Sequence, residues 1–187
     1  MKPIYRSHLQ DTLDRRLPAA LPGFVQVPLK LSKEERKAAT LFAGSRLFAR
    51  SLPEGTEFIH LIPHSRQERF QAEVGWSVSG RFPAALTSHG PLKKPADEMA
   101  EPDWLIDFGE LYHRKHGLGF LGWHVWKPSV EADHPDFLKV FMQEDLAPVS
   151  EEQARARVEA AVAASLADLR EVALPYLDQW AQARRVR

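Results

Sequence analysis

From Arg69 to Ser79 the chain alternates strictly, with Phe70, Ala72, Val74, Trp76 and Val78 in one apolar row and Gln71, Glu73, Gly75, Ser77 and Ser79 in a polar or small one. A period of two belongs to an extended strand whose two faces meet different surroundings. Two shorter runs precede it, Arg46 to Leu52 and Glu57 to Ile62, set apart by Pro53-Glu54-Gly55 and Pro63-His64-Ser65, and Gly80 closes the third. Runs punctuated in this way predict a three-stranded antiparallel meander. In the second run Phe58, His60 and Ile62 share one face, and Ile59 and Leu61 the other. One sheet face is expected to be packed and the other solvated or approached by a partner.

Helical spacing brackets the strands. Tyr5, Leu9, Leu13 and Leu17 recur every fourth residue and predict an amphipathic helix over 4–17, ended by Pro18. Prolines at 18, 22 and 28 leave Phe24 to Val27 at most a short edge strand. Ser32 with Glu35 has capping-box spacing and predicts a helix from Lys33 to about Phe42, with Gly44 as its stop. Residues 81–103 hold four prolines and read as a long loop. Trp104 to Leu111 and Gly119 to Trp126 read as two further strands around a basic loop, Tyr112 to Gly117, and Asp136 to Glu144 as a short helix. Ser150 and Gln153 form another capping box, and Val158, Val162, Leu166, Leu169, Val172 or Ala173, Tyr176 and Trp180 stripe a long C-terminal helix that Pro175 should kink. The fold expected is a single α+β domain over 1–187, its sheet of about five antiparallel strands covered by that helix and by N-terminal helices.

Composition narrows the chemistry. The chain has no Cys, which removes disulfides, thiolate nucleophiles and Cys-type metal sites. No apolar run approaches the eighteen or so residues of a membrane helix, and Met1 to Arg6 lacks the apolar stretch of a leader, so a cytoplasmic protein without membrane contact is expected. The 25 Lys and Arg balance 25 Asp and Glu. Residues 1–50 carry ten basic against four acidic groups, and residues 51–110 five against ten. This dipolar layout suits complementary faces or an acidic partner. With no basic run longer than Arg184-Arg185, it gives nucleic acid little purchase.

Eight histidines are the main chemical resource. His60 and His64 have the separation of a zinc-binding helix but sit in a strand-and-proline context, and His113 and His116 flank Arg114-Lys115, two cations that oppose a metal. Those four histidines, with an acid such as Asp107, define a small metal-dependent hydrolase as the alternative reading. Gly117-Leu118-Gly119-Phe120-Leu121-Gly122 has the literal spacing of a dinucleotide fingerprint, but the run Trp123 to Pro128 after it favours a strand and not the required helix. Trp76-Ser77-Val78-Ser79-Gly80 puts Trp where a nucleophile elbow needs Gly. No catalytic residue and no cofactor is assigned. Trp123 or Trp126 is the aromatic expected to be exposed, because His124 and Lys127 stand beside them.

The succession Leu47-Phe48-Ala49-Arg50, Phe58-Ile59-His60-Leu61-Ile62, Phe70 to Trp76, a loop, Asp107-Phe108-Gly109-Glu110-Leu111 and Trp123 resembles an uncharacterised family of small bacterial α+β domains across residues 33–180. Members are often encoded near contact-dependent or polymorphic toxins. The resemblance implies an immunity, inhibitor or other protein-binding role and carries over no catalytic residues. The leading expectation is thus a non-catalytic domain with a protein partner, its contacts Trp123, His124, Arg114 and Glu101. A small acidic ligand held by Arg114, Lys115 and His116 is a variant of it.

Overall fold

Tyr5, Leu9, Leu13 and Leu17 are the buried stripe of α1 (Pro3–Ala20) in the computed structural model, which describes residues 1–29, 44–64, 66–83, 95–127, 130 and 133–185. The helix expected over Lys33 to Phe42 lies outside those residues. Pro18 does not end α1. It stands in the last turn, where its missing N–H forfeits only the bond to the Asp14 carbonyl. The Leu21 N–H still closes on the Leu17 carbonyl at 2.8 Å, and Arg170 Nε donates to the Ala20 carbonyl at 2.9 Å.

The meander forms as its alternation requires. Strands β1 (Val25–Val27), β2 (Arg46–Leu52), β3 (Gly55–Pro63), β4 (Arg69–Ser77) and β5 (Asp103–Asp107) pair antiparallel in chain order, and a two-residue β6 (Trp123–His124) pairs with the start of β4. The fold is α+β. One face of the sheet, with Phe48, Ile59, Leu61, Phe70, Ala72, Val74 and Trp76, joins the main core with the stripes of α1 and the C-terminal helices. Val78 lies beyond β4 and is exposed. The opposite face, expected to be solvated or approached by a partner, carries a second cluster of Leu47, Ala49, Phe58, Phe82 and Leu105. Phe82 packs edge-on against Phe58 and His60, and His60, Glu73 and Ser77 are buried there too. The middle of the polar row of β4, Glu73, Gly75 and Ser77, therefore faces protein, not water.

The loop at 81–103 contains a single turn of helix, α2 (Pro95–Glu98). The next segment departs further from expectation. Only Asp103–Asp107 of the first apolar run is strand, and the expected basic loop is the body of α3 (Phe108–His116). Asp107 ends the strand and caps the helix, its Oδ1 accepting the Gly109 N–H at 2.7 Å. Phe108 and Leu111 supply the buried face, and His113, Arg114, Lys115 and His116 fill the last turn, where cations suit the helix dipole. Gly117 at φ 68° closes it, its N–H bonding to the His113 carbonyl at 2.8 Å. The glycine at the head of the literal fingerprint is thus a helix C-terminus, and no dinucleotide turn exists.

After α4 (Phe137–Leu146) the Ser150 capping box opens α5 (Glu151–Asp168), with both reciprocal bonds present. Ahead of Pro175, where a kink is expected, the backbone forms a π turn (Leu169–Ala173) leading into α6 (Leu174–Arg185). Proline cannot donate to the Glu171 carbonyl one turn back. Lys115 Nζ, from the end of α3, donates to that carbonyl at 2.7 Å instead. On α6 the ring of Trp180 stacks on Trp76 at 5.3 Å and Tyr176 meets it at 5.4 Å, which docks the helix on the sheet. No helix of the described residues is long and apolar enough to cross a membrane.

Candidate functional site

Trp123 is not the exposed aromatic. It is 5% exposed, packed against Phe70, Phe108 and Phe120, and its indole N–H donates to Asp168 Oδ2 at 2.7 Å. Burying an indole with its N–H satisfied is the more stable outcome where three phenyl rings surround it. Trp126 is half-buried against Phe141. His124 is exposed and stands opposite Arg69 in the β4–β6 pair.

Arg114 is committed inside the fold. Its Nη1 and Nη2 donate to the two oxygens of Glu98 at 2.8 Å each, and its Nε donates to Glu110 at 2.9 Å. Glu98 is wholly buried and also accepts the Tyr176 hydroxyl at 2.9 Å. The bonds to Glu98, partly opposed by burial, raise the Arg114 pKa further above its usual range, while burial and the Glu98 charge push Tyr176 well up. The carbonyl of Glu101 accepts Trp76 Nε1 at 3.1 Å and Arg184 Nη2 at 2.8 Å. Arg114 and Glu101 thus tie the 95–103 segment to α3 and α6, whereas Trp123 and His124 belong to the other end of β4. The four expected contacts do not form one patch.

The histidines separate in the same way. His60 Nδ1 lies 3.0 Å from Glu73 Oε2, and His64 Nδ1 accepts the N–H groups of Arg66 and Gln67. His113 and His116 are on α3, with His116 against the ring of Tyr112 and 3.7 Å from Glu171. No group of three or more His, Asp or Glu among the described residues is placed to hold a metal ion.

Strand register produces one constellation that reading runs separately does not reveal. His60 pairs with Glu73 and Glu73 with Asp107, so three titratable groups cross β3, β4 and β5 in a single row. Knowing both strand boundaries and the turn offset would have shown it. Burial, and then the Glu73 charge, raise the Asp107 pKa above its ordinary 3.8. A carboxyl raised on folding costs stability once ionised. The cost is absent well below 3.8, where both states hold the proton, and grows as pH rises through the folded value. Because Asn caps as well as Asp, Asp107→Asn is expected to melt above the wild type near pH ~7 and to match it near pH ~3. Thermal melts over that range check this, and a lower melting temperature for the variant at neutral pH would contradict it.

The outer surface offers a different feature. Leu118 and Leu121, in the turn after α3, and Leu138 and Met142, four residues apart on α4, are exposed. The contact between Trp126 and Phe141 holds α4 beside the end of β6. Comparison with known proteins returned no match to a family model, a curated sequence or a solved structure.

Proposed function

We propose that this chain is a non-catalytic protein-binding domain, acting in the cytoplasm, whose partner covers the 118–121 turn and the outer face of α4. The observation that carries the proposal is that exposed apolar side chains lie close together in the chain. Of six large hydrophobic residues exposed among the described residues, Leu118, Leu121, Leu138 and Met142 fall within one stretch of 25 residues. Exposed apolar surface gathered in one region marks interaction sites more often than scattered single residues do. Leu138 and Met142 share one face of α4 at i, i+4, the anchor spacing of helix-mediated contacts. Exposed His124 borders this surface, and buried Trp123 fixes the segment from beneath. An inhibitor or immunity role, which the family resemblance implies, is the form this binding takes.

The test compares the full chain with a Leu138→Glu/Met142→Glu variant, immobilised at equal density and exposed to native host extract. A stoichiometric companion should be retained by the wild type and lost about tenfold or more by the variant, with melting temperature unchanged. Equal recovery on both, or nothing above bare matrix, would end the proposal.

A further inference from the structure

We infer that the row His64, Arg69 and His124 is an oxyanion site, built to take a carboxylate or phosphate group. In the β4–β6 pair Arg69 is directly opposite His124. On the other side of β4, one step beyond the Pro63–Phe70 pair, the His64 N–H donates to the Arg69 carbonyl at 2.9 Å. Three basic residues therefore lie side by side across the end of β3, β4 and β6. Groups of like charge opposite one another in a sheet are destabilising. Arg66 and Lys127 flank the row, and the amino terminus sits on the His64 carbonyl.

No carboxylate of the described residues pairs with the row. Glu68, next to Arg69 in the chain, has both oxygens on the Lys2 N–H, at 2.9 and 3.0 Å. Glu73 and Asp107 belong to the next polar row, beyond the Ile62–Gln71 pair. The donors, meanwhile, are held in place. Arg69 Nη1 is fixed on the Leu121 carbonyl, which leaves its Nε shielded from solvent and without a partner. His64 Nδ1 accepts two backbone N–H groups, so the neutral ring carries its proton on Nε2, free to donate.

The electrostatics agree with this geometry. Burial, then Arg69, the amino terminus and Arg66, hold His64 below its usual value. Burial, then Arg69 and Lys127, do the same to His124, against a hydrogen bond to the Trp126 backbone. A bound anion offsets the crowded positive charge and returns the His124 pKa upward. Since protonating Nδ1 of His64 would break its turn, His124 is the group that takes up a proton on binding. Affinity should therefore rise as pH falls through the histidine range.

The test titrates the full chain with inorganic phosphate and, separately, with glutarate, at constant ionic strength, following the ring C–H signals of His64 and His124 by NMR. Both signals should saturate with at least one anion, and the anion that binds tighter identifies the ligand class. With glutarate, which stays largely ionised over the range whereas phosphate gains a proton, binding should tighten from about pH 8 to about pH 6. His124→Gln, at the exposed position of a two-residue strand, should bind about tenfold more weakly at the lower pH and lose the pH dependence. Arg69→Gln should not saturate. Shifts that stay linear with both anions, or an unchanged affinity in His124→Gln, would overturn the assignment. Neither probe engages the apolar surface, so failure here leaves the partner proposal standing.

Discussion

Arg114→Met is expected to lose about 3–5 kcal/mol of stability, the usual cost of leaving a buried charge, here that of Glu98, without its partner. For a chain of this size that is a fall of roughly 10–15 °C in melting temperature. Glu98 has no exposure, and without the guanidinium its charge keeps, among the described residues, only the Tyr176 hydroxyl. Methionine replaces the volume of the stem but none of the five donors. Glu110→Gln, by contrast, should cost less than about 1 kcal/mol, since it removes only an i, i+4 pair with partly exposed members. Tyr176→Phe removes one hydrogen bond to a charged group and falls between, at about 1.5–3 kcal/mol. The double variant Glu98→Gln/Arg114→Met should recover at least half of the Arg114→Met loss, because no buried charge is left unpaired. Thermal melts of the four variants decide the matter. If Arg114→Met melts within about 2 °C of wild type, the carboxylate is reached by water and the network does not anchor the 95–103 segment.

That network also shows where reading the sequence stops. The strands β2, β3 and β4 are legible because β4 alternates and all three runs are set apart by proline or glycine, and the C-terminal helices are legible from a stripe over more than six turns. Trp104 to Leu111 misled because an apolar run has no period to read. The change from strand to helix rests on one cap, Asp107 to Gly109, inside it. Arg114 read as a free cation because its partner Glu98 lies sixteen residues away in a proline-rich stretch with no regular pattern. Trp123 read as exposed because its chain neighbours are polar, while the rings that enclose it come from β4, α3 and the turn before β6. Both polar rows on the second sheet face depend on register, which is set by the offset of the 63–69 turn and by the pairing of β5 and β6 to β4. Alternation assigns a residue to a face, and only register gives it a neighbour.

Gly75→Ala tests that register at its tightest point. Gly75 pairs with Leu105, and a Cβ built there would stand 2.0 Å from the Trp104 carbonyl oxygen and 2.9 Å from the Leu105 Cα. Both are backbone atoms, so no rotamer change relieves the contact, and β5 must move away from β4. The expected cost is about 3 kcal/mol, the upper end for overpacking in a core. Gly119→Ala is the control, because its added Cβ meets nothing within 4 Å, and it should stay within about 0.5 kcal/mol of wild type. The damage should also be local in a way hydrogen exchange can read. β5 runs directly into α3, so amides of Trp104 to Ile106 should lose protection together with those of α3, while the β2–β3 ladder keeps its own. The same displacement pulls Asp107 from Glu73 and shifts the helix that delivers Arg114 to Glu98. Protection lost evenly over the whole sheet would mean that β5 is not a separable layer. Melting at the wild-type temperature would mean that the two strands do not approach as closely as the register places them.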